Sequence, residues 1–137
     1  MDTSELPAGL IETIGTNTTT AQAADRLAAE IENSDKFGLV ARVEHSASAE
    51  RVGLDLVPMT EFLFGNPAGG TPLMQIAPTA GIDLPQKILI IQTESGVRVL
   101  HNDPMYIAER HGIPADTPQL AGAAGLLQAM ANVAAGI

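Results

Sequence analysis

Short alternating runs and longer helical periodicities divide this chain into strand and helix candidates. Over Leu10–Thr16, Leu10, Glu12 and Ile14 alternate with Ile11, Thr13 and Gly15, the pattern of a first strand. Thr19 followed by Gln22 forms a capping box, and Ala24, Leu27, Ala28 and Ile31 then recur on one helical face until Asn33–Gly38 breaks the pattern. A second strand is predicted over Leu39–His45, with Leu39, Ala41, Val43 and His45 on one phase, followed by a polar loop at Ser46–Glu50 and a third strand over Gly53–Gly65. Ile88–Ile91 is apolar on both phases, as a central strand is, and Glu94-Ser95-Gly96 turns it into Val97–His101.

Three helix starts share one signature, a capping residue followed by proline: Thr71-Pro72, Asp103-Pro104 and Thr117-Pro118. Proline suits the first helical position because its missing N–H would be unpaired there and its φ is already helical. The resulting order is βαββαββαα. Adjacent hairpins imply a mainly antiparallel sheet with helices packed on one face, so the predicted class is α+β.

At 137 residues and 45% hydrophobic content the chain is sized for a single domain over 1–137, with a core at about 10–113 and an alanine-rich C-terminal helix at 117–135. The net charge of -9, with seven scattered basic residues, offers no basic stripe for phosphate backbones and argues against nucleic acid and against an anionic membrane surface. Absence of cysteine removes disulfides, thiol nucleophiles and thiolate metal sites. Thr117–Ile137 carries no charge, but its glutamines, asparagine, glycines and many alanines make it too weakly apolar for a membrane span. Met1–Glu5 is acidic and lacks the pattern of a signal peptide. A cytoplasmic location is therefore expected, with export after signal removal as the alternative.

From Phe62 the chain reads FLFGNPAGGTPLMQIAPTAGIDLPQKILI and, one hairpin later, HNDPMYIAERHGI. Gly65-Asn66-Pro67, Gly70-Thr71-Pro72-Leu73-Met74, Ala77-Pro78, Gly81-Ile82-Asp83-Leu84-Pro85, Lys87 and Asn102-Asp103-Pro104 with Tyr106 form a long ordered pattern that resembles the domain of unknown function 302 family. The resemblance covers roughly Leu10–Ile113. It implies an α+β domain related to the TATA-binding-protein-like folds and often dimeric, with no established activity and no catalytic residue to carry over.

The residues offer two sites. Asn66, Gly69, Gly70 and Thr71, with Asp83 beyond them, lead into a helix expected to present the free N–H groups of Leu73 and Met74 to a small anion; alternatively the glycines and prolines only shape a tight corner. His45, Glu61 and His101 end or occupy strand phases and could hold a metal or haem, or could lie apart on the sheet rim. Asp103 and His111 read as helix caps. No glycine-flanked serine marks a nucleophile elbow, although a triad can assemble from distant residues. The tail helix presents Leu120, Ala123, Leu127, Met130 and Ala134 on one face, to its own sheet or to a second subunit. The expected function is a non-catalytic small-ligand-binding or protein-interaction module acting as a homodimer, with neither metal nor cofactor; the alternative is an enzyme or redox accessory protein using the histidines.

Overall fold

A computed structural model describes residues 6–137, so the acidic start lies outside the described residues. Five strands form one antiparallel sheet: β1 (Leu10–Ile14), β2 (Gly38–Glu44), β3 (Met59–Gly65), β4 (Gln86–Thr93) and β5 (Gly96–Asn102), in the order β1-β5-β4-β3-β2. The helices are α1 (Thr20–Glu32), α2 (His45–Arg51), α3 (Pro67–Ile76), α4 (Pro104–His111) and α5 (Pro118–Ala135), with a short 3-10 helix at Pro78–Ile82. This is the α+β fold expected, with helices on one face of an antiparallel sheet.

Register explains which face is covered. Phe62 lies opposite Ile88, and Ile90 opposite Val99, so the alternation of strand side chains puts Phe62, Phe64, Ile88, Ile90, Val97 and Val99 on one side of the sheet. All six are buried, under Ala23, Ala24, Leu27 and Ile31 of α1 and Leu127, Met130, Ala131 and Ala134 of α5. The alanines let the two helices approach the sheet and each other closely. Arg26 then ties the helices together: its guanidinium donates to the Val133 carbonyl at 3.1 Å and the Ala134 carbonyl at 2.7 Å, the open C-terminal end of α5. A second core joins Leu73, Ala77, Ala80, Ala108, Ile113 and Leu120, packing α3, α4 and the 3-10 helix against the start of α5.

Local signals held where they were self-contained. Thr19 and Gln22 exchange both capping-box bonds at 3.1 Å, and Asp103 accepts from the Met105 N–H at 2.9 Å. Gly112 ends α4 in the left-handed conformation, as expected of its cap. Gly9 is also left-handed, and a Cβ there would stand 2.4 Å from the Tyr106 ring, so glycine is required where α4 closes over the entry to β1.

Four local expectations are corrected. Ser46–Glu50 is not a loop but most of α2, an extra short helix between β2 and β3. The strand expected from Gly53 begins only at Met59, because β2 gives way to α2 at His45 and leaves residues 53–58 no opposing strand. Thr71 does not cap a helix, since α3 begins at Pro67 with Asn66 as its cap and runs through Pro72. Thr117 does precede α5, but its hydroxyl donates to the Pro114 carbonyl instead of capping. Phe62→Ala should cost about 3–5 kcal/mol, measured by denaturant unfolding, because it empties the centre of the covered face without a neighbour able to collapse into it.

Candidate functional site

The corner after β3 opens onto a cavity of about 610 Å³ between α3, the start of β4 and the outer side of α5. Its walls are Gly65, Asn66, Gly69, Gly70, Thr71 and Met74 on one side, Leu84, Pro85 and Gln86 at the base, and Gln119, Gly122, Ala123 and Leu126 opposite. Four of the five residues singled out from the sequence therefore line one cavity. Asp83 does not; it lies in a separate cluster with Arg110 and His111.

The chemistry of the corner differs from the anion cradle. Asn66 Oδ1 accepts from the Ala68 N–H at 2.9 Å, and the Gly69 and Gly70 N–H groups both bond the Asn66 carbonyl, at 2.9 and 3.0 Å. With proline supplying no N–H at the first position, the start of α3 has its donors engaged. Leu73 and Met74 lie well inside the helix and offer no free N–H. Pro72 instead deprives the Ala68 carbonyl of its usual intrahelical donor, leaving an acceptor where a donor was expected. No charged side chain lines the cavity. Lys87, next in the chain to Gln86 of the cavity, donates to the Asp83 and Pro85 carbonyls at 3.1 and 3.0 Å.

The glycines are the unusual part of the wall. Gly69 and Gly122 have ordinary backbone angles, and a Cβ on either would meet nothing within 4 Å; one on Gly70 would meet only Leu84 Cδ1 at 3.8 Å. Neither backbone conformation nor packing within the chain calls for glycine there, although glycine inside a helix costs up to ~1 kcal/mol relative to alanine. Gln86, Gln119 and Gly122 carry no motif of their own. Their only sequence signal is that Gln119 and Gly122, three apart, fall on one side of α5 with Ala123 and Leu126.

The proposed histidine set does not assemble. His45 Nε2 bonds Glu61 Oε1 at 2.9 Å, but His101 lies on the opposite, helix-covered side of the sheet, beside Ile88 and Ile11. Among the described residues no three His, Asp or Glu side chains are grouped to hold a metal ion. Next to His45, Glu44 accepts from Thr60 Oγ1 at 2.7 Å and from Arg42 Nε, while the Arg42 guanidinium stacks 4.9 Å over the Phe62 ring. Burial alone would raise the Glu44 carboxyl, but the Thr60 and Arg42 hydrogen bonds and the neighbouring charges of Arg42 and His45 together hold it below its ordinary value.

The model of "Domain of unknown function DUF302" matches residues 12–136. The chain belongs to the DUF302 family. A solved DUF302 protein, the uncharacterized conserved protein from Bacillus stearothermophilus, superposes with a TM-score of 0.79 over 93% of this chain and 99% of its own, at 18% identity, a likeness of fold alone. Proteins of Brucella suis biovar 1 and Brucella melitensis biotype 1 named fluoride-specific ion channels FluC 1 and FluC 2 are each 37% identical over 111 residues, 80% of this chain. The chain spans 43% and 40% of their respective lengths. The family match extends to α5, beyond the region where the motifs gave the resemblance.

Two outcomes follow for this DUF302 domain. Asn66→Ala should lower stability by ~1 kcal/mol as a lost cap, whereas Thr71→Ala, at an exposed position within the helix, should change it by a few tenths at most; urea unfolding separates the two. A carboxylate with a depressed folded-state pKa stabilises above its unfolded value and loses that contribution as pH falls through the folded one. The stability gap between wild type and Thr60→Val should therefore be full near neutrality and shrink as pH falls below 4.5, the ordinary value for Glu44.

Proposed function

We propose that the chain is a binding module whose cavity between α3 and α5 takes a small, uncharged, largely apolar molecule and does no chemistry on it, and that it works as a homodimer. The observation that carries this reading is the cavity wall: about 610 Å³ of apolar space, within the range of small-molecule sites, faced by helix glycines whose side-chain positions are empty. Smooth helix surface that nothing inside the chain fills is what a flat apolar ligand needs. The side chains of Thr71, Gln86 and Gln119 supply polar groups at the rim, suited to orienting a carbonyl or hydroxyl of the ligand.

Charge decides against the anion first expected. An anion would meet no lysine, arginine or histidine in the wall, and would enter a molecule of net charge -9. A cation would find no carboxylate. Fluoride conduction, named for the Brucella relatives, is not assigned to this chain, which matches less than half of each; among the described residues no helix is long and apolar enough to cross a membrane.

The dimer is supported by the segment after α2, where Val52, Leu54, Leu56 and Val57 are all exposed, with relative exposures from 39% to 70%. Such a run, strand-like in pattern but unpaired, suits association with its counterpart in a second copy. Light scattering should give twice the monomer mass, and Leu54→Glu with Leu56→Glu should return it to the monomer.

Ligand-observed magnetic resonance against a library of neutral, anionic and cationic fragments tests the binding reading. Neutral apolar fragments should bind the wild type. Gly122→Ala should raise stability by up to ~1 kcal/mol while weakening them, and Gly122→Phe should abolish their binding. Binding confined to anions, or binding indifferent to Gly122→Phe, would sink the proposal.

A further inference from the structure

A second chemistry lies outside the cavity, where the 3-10 helix meets the end of α4. Thr79 Oγ1 is 2.8 Å from His111 Nδ1, and His111 Nε2 is 2.5 Å from Asp83 Oδ2. Arg110 Nη1 donates to both Asp83 oxygens at 3.1 Å, fixing the carboxylate from its other side. The His111 side chain is only 6% exposed and that of Asp83 15%, while Thr79 lies at the surface. A hydroxyl open to solvent is thus backed by an imidazole whose side chain is buried, itself held by a half-buried carboxylate.

A carboxylate only accepts, so Nε2 donates to Asp83, and in the neutral imidazole Nδ1 then presents its lone pair to the Thr79 hydroxyl. That is the arrangement in which an imidazole can draw the proton from a hydroxyl nucleophile, recognised by geometry and role and not by order along the chain. The two ring nitrogens are exchanged relative to the serine proteases. The base and orienting roles are unchanged, because either nitrogen of a neutral imidazole serves as base when the other is protonated.

We propose that Thr79 is an activated nucleophile that accepts an acyl group from an activated ester, with His111 as its general base and Asp83 and Arg110 as positioning residues. Thr79 Oγ1 attacks the ester carbonyl carbon while its proton passes to His111 Nδ1. The carbon–oxygen bond to the leaving group breaks, and that oxygen departs with the electron pair. His111 then returns the proton to the leaving group or to solvent, leaving an acyl ester on Thr79. Helix capping alone explains Gly112 and the charge of Arg110 at the end of α4, but it does not call for a hydroxyl on the far side of His111.

The test uses the whole chain and p-nitrophenyl acetate as the probe, with p-nitrophenolate release followed by absorbance and the acetyl group located by tandem mass spectrometry. Thr16, an exposed threonine outside the cavity whose hydroxyl bonds no imidazole, is the control within the same molecule. Acetylation of Thr79 should exceed that of Thr16 at least tenfold. Thr79→Ser should retain it, Thr79→Val should remove it, and His111→Gln should bring Thr79 down to the rate of Thr16. Equal labelling of Thr79 and Thr16 in the wild type, or acetyl groups only on lysine amines and the N-terminus, overturns the proposal whether or not any variant folds.

Discussion

Everything else in this molecule is arranged around the need to cover one face of the sheet. Phe62, Phe64, Ile88, Ile90, Val97 and Val99 present a continuous apolar surface, and water is excluded from it only when α1 and α5 lie side by side across it. Burial at ~25 cal/mol per Å² makes such a surface the largest favourable contribution available to a chain of this size. Once α5 is committed to the sheet by Leu127, Met130, Ala131 and Ala134, its opposite side is left for α3 to approach from the end of β3. The two helices meet through small residues. The cavity is the gap left between an element fixed by the core and one fixed by the corner at Asn66.

Much of this was legible because the signals were local. The capping box at Thr19, the proline start after Asp103 and the hairpin at Glu94-Ser95-Gly96 each need only a few neighbouring residues to satisfy a backbone group, and each formed as read. The start of α3 was harder, since Asn66-Pro67 and Thr71-Pro72 give the same capping signal five residues apart. Propensity favoured the later one, with Gly69 and Gly70 weakening any earlier helix. The side chain and carbonyl of Asn66 accept from the N–H groups of Ala68, Gly69 and Gly70, which satisfies the first turn of the longer helix and decides for the earlier one.

Contacts made at a distance were not legible at all. Nothing in the pattern of Thr79, Asp83 and His111 shows that residues 28 and 32 positions apart converge on one imidazole. Asp83 was singled out by its motif and grouped with the wrong neighbours, because a strand-to-helix corner and a helix end were both within reach along the chain. The separation of His45 from His101 is of the same kind. Phase along one strand says which residues share a side, but only the pairing of β3, β4 and β5 says that Glu61 and His101 face opposite ways.

Arg26 grips carbonyls 107 and 108 positions further along the chain, and β1 completes the sheet only by pairing with β5. β1 has no partner until β5 ends at Asn102, and α1 lacks its own until almost the whole sequence exists. Such long-range closure slows folding, because the entropy of joining distant segments is spent before their contacts form. During synthesis the strands β2 to β4 would emerge with only α1 available to cover their apolar face. The interval before α5 leaves the ribosome is then the stage at which this domain is most open to aggregation, and the one at which a chaperone would find most to hold.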